Sequence, residues 1–184
     1  MAAAEQPVCN FGWRAPDFTL PDADGRLHTL EQLKGANGTL VMFICNHCPY
    51  VKAVADRLAR DAHALQALGV GVVAIMPNDY ETYPDDAPER MKEFARIHGF
   101  QFPYLVDRTQ QVARAYDAVC TPDFFGFNAD LRLQYRGRLD ESGRAPASAG
   151  ARRELFEAMR QVAETGKGPG EQTASIGCSI KWRG

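Results

Sequence analysis

The chain has 184 residues, a length that one domain spans and that buries enough apolar surface to fold without disulfide staples. Apolar residues make up 45% and charged residues 24%, with 21 basic side chains against 23 acidic ones, so no charge field points to nucleic acid or an anionic membrane surface. The longest apolar runs, Leu40 to Cys45 and Val70 to Met76, are strand-length and too short to span a bilayer.

The opening MAAAEQPVCNFGW carries neither a basic leader nor a continuous apolar stretch, so a cytoplasmic protein is expected. Five cysteines in that compartment read as chemistry or core filling rather than a disulfide framework. Two short extended segments, Asp17 to Leu20 and Arg26 to Leu30, flank the turn formers Pro21-Asp22-Ala23-Asp24-Gly25 and predict an N-terminal hairpin. Thr39 to Ile44 is a continuous apolar run without polar alternation, as in a strand buried on both faces, and it ends directly at Cys45. From Pro49 the apolar residues Val51, Val54, Ala55, Leu58, Ala62, Leu65 and Leu68 recur at helical spacing, with Pro49 suited to the first turn and Gly69 to the C-cap. Val70 to Met76 is a second buried strand, so residues 39–76 predict a right-handed, parallel strand-helix-strand unit.

A Pro- and Asp-rich stretch, Pro77 to Pro88, follows, with Tyr80 and Tyr83 at the candidate rim of a groove. A helix over Glu89 to His98, a strand over Tyr104 to Val106 and a short helix over Thr109 to Tyr116 continue the α/β alternation. Asp123 to Phe127 and Leu131 to Arg136 read as strand-turn-strand about Asn128-Ala129-Asp130, and Ala151 to Glu164 as a last amphipathic helix. The glycine-rich residues 166–170 then begin a loose tail that carries Cys178 and Trp182.

Cys45-Asn46-His47-Cys48 lies at the predicted strand-to-helix corner, where catalytic groups gather in open α/β sheets. Disulfide exchange needs one thiol that ionises near neutral pH and a second within reach of the mixed disulfide, and two intervening residues on a first helical turn supply that reach. A helix N-terminus favours thiolate, and His47 adds a charge or a hydrogen bond, so the more exposed sulfur, taken as Cys45, is expected to ionise first. A structural zinc site would need a second pair of ligands at metal spacing, which the scattered His28, His63 and His98 do not provide. No metal and no cofactor are therefore expected.

Cys120-Thr121-Pro122-Asp123 places an X-Pro bond just before a strand, downstream of the CxxC unit. With it the chain resembles the thioredoxin superfamily, in which a Thr-Pro pair with a cis peptide faces the CxxC and shapes the substrate groove. The strings Phe43 to Lys52, Cys120 to Phe125 and Gly177 to Trp182, with the opening Gly12-Trp13-Arg14-Ala15-Pro16-Asp17-Phe18, resemble the peroxiredoxin-like, CxxC-containing branch of the AhpC/TSA and redoxin group over nearly the whole chain. That resemblance implies a thioredoxin-like α/β fold, a central mixed sheet flanked by helices with an N-terminal hairpin, over residues 1–165, and a tail over 166–184 packed on the domain or extending from it. It sets Cys48 at the peroxide-attacking cysteine, with Cys45 in place of the activating threonine and Val41 in place of a proline. It shows no counterpart of the group's arginine near Thr121-Pro122, nor of thioredoxin's buried aspartate.

The expected activity is thiol–disulfide oxidoreduction by Cys45 and Cys48. Asn46, His47 and Pro49 tune the pair, and Thr121 and Pro122 line the groove. Thiol peroxidase chemistry, with Cys48 peroxidatic and Cys45 resolving, and a non-catalytic redox-sensing module are the alternatives. Cys120 and Cys178 are candidate additional redox thiols, each weighed against a purely structural role. The expected partners are a protein or small-molecule disulfide and an external thiol reductant, acting on a monomer or homodimer.

Overall fold

Five strands form the central sheet in a computed structural model that describes residues 2–184. In chain order the elements are β1 (Ala3–Glu5), β2 (Thr19–Pro21), β3 (Leu27–Thr29), α1 (Leu30–Leu33), β4 (Gly38–Phe43), α2 (Pro49–Gln66) and β5 (Val70–Met76). Then follow a 3-10 turn (Pro84–Asp86), α3 (Pro88–His98), β6 (Tyr104–Val106), α4 (Gln111–Ala115), β7 (Cys120–Thr121), β8 (Asp123–Phe127), β9 (Leu133–Tyr135), α5 (Glu154–Thr165) and β10 (Ile176–Ser179).

The sheet order is β6-β5-β4-β8-β9, with β4, β5 and β6 parallel and β8 and β9 antiparallel to their neighbours. The strand period of two divides its side chains between two cores. Leu40, Met42 and Ile44 face one core with Val72, Ala74 and Met76. Val41 and Phe43 face the other with Val73 and Ile75. That division explains why β4 and β5 lack polar alternation: both of their faces are dry.

The first core is roofed by α2, α3 and α5. On α2 the predicted stripe is buried from Val51 through Val54, Ala55, Leu58 and Ala62 to Leu65, whereas its last member, Leu68, lies past the helix end at Gln66 and is exposed. Pro49 occupies the first turn, where its missing N–H costs no helical bond, and α3 ends on Gly99 in the left-handed region. The second core is closed by the N-terminal segment and α4, where Trp13, Phe43, Tyr116 and Phe125 pack edge to face or tilted.

β2 and β3 form the predicted antiparallel hairpin. β1, α1, the 3-10 turn, β7 and β10 escaped the sequence reading, although α1 carried a legible signal: Thr29 and Gln32 form a reciprocal capping box. The larger correction concerns the C-terminal segment. It is not a loose tail: β10 pairs antiparallel with both β1 and β7 in a second, three-stranded sheet. Residues 176–179 carry only a short β pattern after a glycine-rich stretch, and their pairing partners lie at the far N-terminus and at residues 120–121.

Candidate active site

β4 delivers Cys45 to the corner that precedes α2, and Cys48 is the N-cap of that helix. The Thr121-Pro122 peptide is cis, as the resemblance implied, and Thr121 faces both thiols. Its hydroxyl lies 3.4 Å from Cys45 Sγ and its carbonyl oxygen 3.2 Å from Cys48 Sγ. Beyond Pro122 a cavity of about 370 Å³ is lined by Tyr50, Val54, Phe124, Leu139, Arg144 and Ile176, the Arg144 guanidinium lying 4.8 Å from the Tyr50 ring.

Neither cysteine of the pair is the exposed one that helix-start position suggested. Cys45 is 1% exposed and Cys48 is fully covered. The cover comes from β10: Cys178 Sγ lies 2.8 Å from Cys48 Sγ, across 130 residues of chain. β-pairing sets Cys178 opposite Thr121, so β7 and β10 together wall the site.

A buried acid stands behind the motif after all, contributed by the Pro- and Asp-rich stretch rather than by a sheet strand. Asp86 is fully buried; its Oδ1 accepts from the amides of Asn46 at 2.8 Å and His47 at 3.3 Å. Its Oδ2 accepts from Asn78 Nδ2 at 2.9 Å and lies 2.6 Å from His47 Nδ1. Asn46 is held further by donating to the Asp85 carbonyl and accepting from Tyr104 Oη. Tyr83 stacks parallel to His47 with ring centres 6.2 Å apart, so its place at the rim is realised as packing on the motif's histidine. Sequence reading missed Asp86 because a lone carboxylate among Asp79, Asp85 and Asp86 carries no periodic signal.

Cys45 Sγ, a His47 ring nitrogen and an Asp86 oxygen lie within 4.8 Å of one another, a mixed donor set of the kind divalent metals accept. Asp86 itself is held in place by three donors, the amides of Asn46 and His47 on Oδ1 and Asn78 Nδ2 on Oδ2.

The electrostatics separate the two cysteines. The neighbouring Cys45 thiol pulls the Cys48 thiol down to about 4 against its burial, with Cys178, Thr121 and the Val51 amide acting in the same direction. Cys48 in turn, together with burial and the nearby Asp86 charge, pushes Cys45 well up. We assign the thiolate to Cys48 because it caps the helix while Cys45 sits beside a carboxylate, which reverses the expected order. Burial and the Cys48 contact push Cys178 up to about 11. The Asp86 contact raises His47 above its ordinary value despite partial burial. Burial opposes charge on Asp86, but His47, Asn78 and the Asn46 amide outweigh it and hold the carboxyl below the usual range.

Cys120 is not brought into the sulfur cluster: its Sγ turns to the Pro122 carbonyl at 3.4 Å, and burial drives its thiol far up. Alternation along β7 explains this, since Thr121 takes the face toward Cys45. No counterpart of the polarising arginine was legible near Thr121-Pro122; the buried Arg136 lies close in the fold, but its guanidinium is spent on Asp123 at 3.0 Å and the Asp117 carbonyl.

The model of the AhpC/TSA family matches residues 11–137. An uncharacterized conserved protein from Geobacillus kaustophilus, known from its crystal structure, is 46% identical and superposes with a TM-score of 0.92, covering 100% of this chain and 97% of that one. Thiol-disulfide oxidoreductase ResA of Bacillus subtilis (strain 168) is 28% identical over 122 residues, 66% of this chain and 64% of ResA. A Mycobacterium tuberculosis (strain ATCC 25618 / H37Rv) protein whose name places it provisionally among the peroxiredoxins is 27% identical over 133 residues, 72% of this chain and 80% of that protein. The five-stranded mixed sheet, with its helix corner facing a cis proline, is thioredoxin-like.

Proposed function

The chain belongs to the AhpC/TSA family, and from that premise we propose that it is a thiol–disulfide oxidoreductase whose working dithiol is Cys45 and Cys48. One observation carries the assignment: the Cys45-x-x-Cys48 pair stands at the start of α2 with both sulfurs against Thr121 of the cis Thr121-Pro122 peptide, Cys45 Sγ 3.4 Å from its hydroxyl and Cys48 Sγ 3.2 Å from its carbonyl oxygen. The Cys48 thiolate attacks a substrate disulfide, forming a mixed disulfide and releasing one substrate thiolate. Cys45 then attacks the Cys48 sulfur; the Cys45–Cys48 bond forms, the second substrate sulfur leaves, and the Cys45 proton passes to it. An external thiol reductant restores the dithiol. The cavity beside Pro122 and Tyr50 supports docking of the disulfide-bearing partner.

The assignment of the thiolate to Cys48, and its burial, also favour peroxide as an oxidant, because a small peroxide needs less uncovering than a protein does. In that second reading Cys48 attacks the O–O bond and becomes a sulfenic acid while water leaves, and Cys45 resolves it with loss of a second water.

Stopped-flow measurement separates the two. Reduced protein is mixed with hydrogen peroxide or with a protein disulfide, for wild type, Cys45→Ser and Cys48→Ser. Fast disulfide reduction, peroxide consumption no faster than that of a simple thiol, and loss of both in Cys48→Ser are expected. Fast peroxide consumption that depends on Cys48, and that leaves a trapped sulfenic acid once both Cys45 and Cys178 are replaced by serine, would establish the peroxidase instead.

A further inference from the structure

We propose that Cys178 is a third redox-active thiol, and that Cys48 exchanges its disulfide partner between Cys45 and Cys178, tying the start of α2 to the C-terminal strand. The proposal rests on the dithiol reading above and adds to it. The sulfurs of Cys48 and Cys178 are 2.8 Å apart, within about 1 Å of a disulfide bond length. The approach is built into the fold from both sides. β10 is hydrogen-bonded between β1 and β7, and Gly177 lets it press against the Thr121 carbonyl, where a Cβ would collide.

Beyond the strand, the Lys181 amide donates to Asn78 Oδ1 and the Arg183 amide to Gln110 Oε1. Asn78 also bonds Asp86, so the framework that positions the motif positions the segment carrying Cys178. Cys120 provides the contrast. It lies on the strand that pairs with β10 and is as buried as Cys178, yet its thiol points to the Pro122 carbonyl and away from the pair.

The exchange is balanced without any outside reagent. The Cys178 sulfur attacks Cys48 in the Cys45–Cys48 disulfide; the Cys48–Cys178 bond forms and the Cys45–Cys48 bond breaks. The electron pair leaves on Cys45, which takes up the proton given up by Cys178. Both flanking thiols are pushed up, so a proton travels with each transfer. Cys178 equally resolves a substrate held on Cys48 when Cys45 is absent.

The test uses the full-length protein as wild type, Cys45→Ser and Cys178→Ser, each reduced and then oxidised with excess glutathione disulfide, acid-quenched, alkylated and mapped by mass spectrometry. In Cys45→Ser, a Cys48–Cys178 bond in most molecules is expected, with Cys9 and Cys120 alkylated. In wild type both bonds are expected, and in Cys178→Ser only Cys45–Cys48. The proposal is overturned when Cys45→Ser, folded by circular dichroism, carries glutathione on Cys48 while Cys178 remains alkylated. Should that variant not fold, wild type decides, and absence of any Cys48–Cys178 peptide overturns the proposal there. A wild type that forms Cys48–Cys178 but never Cys45–Cys48 refutes the dithiol reading while leaving the third thiol standing.

Discussion

Asp86 fixes the charge of the histidine inside the motif, and with it the field around both thiols. The raised His47 contributes stability that is complete below the ordinary histidine value near 6.5 and is lost as pH rises through its higher folded value. The depressed Asp86 contributes stability present above the ordinary carboxylate range and lost as pH falls through its lower folded value. The ion pair therefore supports the fold most between those limits. Asp86→Asn keeps an acceptor for the Asn46 amide but removes the charge. The His47 midpoint, followed by NMR, is expected to fall by about 1 unit. Stability is expected to drop by about 1–3 kcal/mol at neutral pH, with the deficit shrinking as the medium becomes alkaline. An unchanged histidine midpoint would show that the 2.6 Å contact does not govern the ring. His47 and both cysteines were legible as a motif, whereas Asp86 was not, because burial and aim rather than residue type distinguish it from Asp85.

At the level of elements, β10 is the piece that turns an open strand-helix corner into a closed one. Its contact with β7 depends on Gly177, where any side chain meets the Thr121 carbonyl. Gly177→Ala is expected to cost about 1–3 kcal/mol by overpacking. It is also expected to lift β10, so that alkylation of Cys48 in the folded, reduced protein becomes faster than in wild type. Equal alkylation rates with full stability would mean that β10 does not control access. Strands β4, β5 and β6 and helices α2 and α3 could be read directly, since continuous apolar runs and a 3.6-residue stripe are local signals. β1, β7 and β10 are two to four residues long and exist only through one another, so their pattern lies in long-range pairing that no window of sequence contains.

For the whole molecule, the two disulfides open to Cys48 differ greatly in the chain they enclose. Cys45 and Cys48 close a four-residue loop, whereas Cys48 and Cys178 stand 130 residues apart. Chain entropy gives roughly 5 kcal/mol for the long loop and about 2 kcal/mol for the short one, relative to the reduced protein. Urea unfolding of oxidised against reduced Cys45→Ser should show the larger shift, and the same comparison in Cys178→Ser the smaller. Equal shifts would contradict the long cross-link. Taken alone, the sequence determined the α/β alternation, the parallel unit at residues 39–76, the CxxC at its corner and the Thr-Pro loop facing it. The first three follow from local hydrophobic period, turn chemistry and motif spacing; the facing Thr-Pro loop is what the resemblance to the thioredoxin superfamily implied. Which acid stands behind the motif and which distant cysteine touches it were decided only by the tertiary structure. Burial, carboxylate proximity and thiol contact are properties of neighbours in space, and here the decisive neighbours are Asp86 and Cys178, the latter 130 residues along the chain.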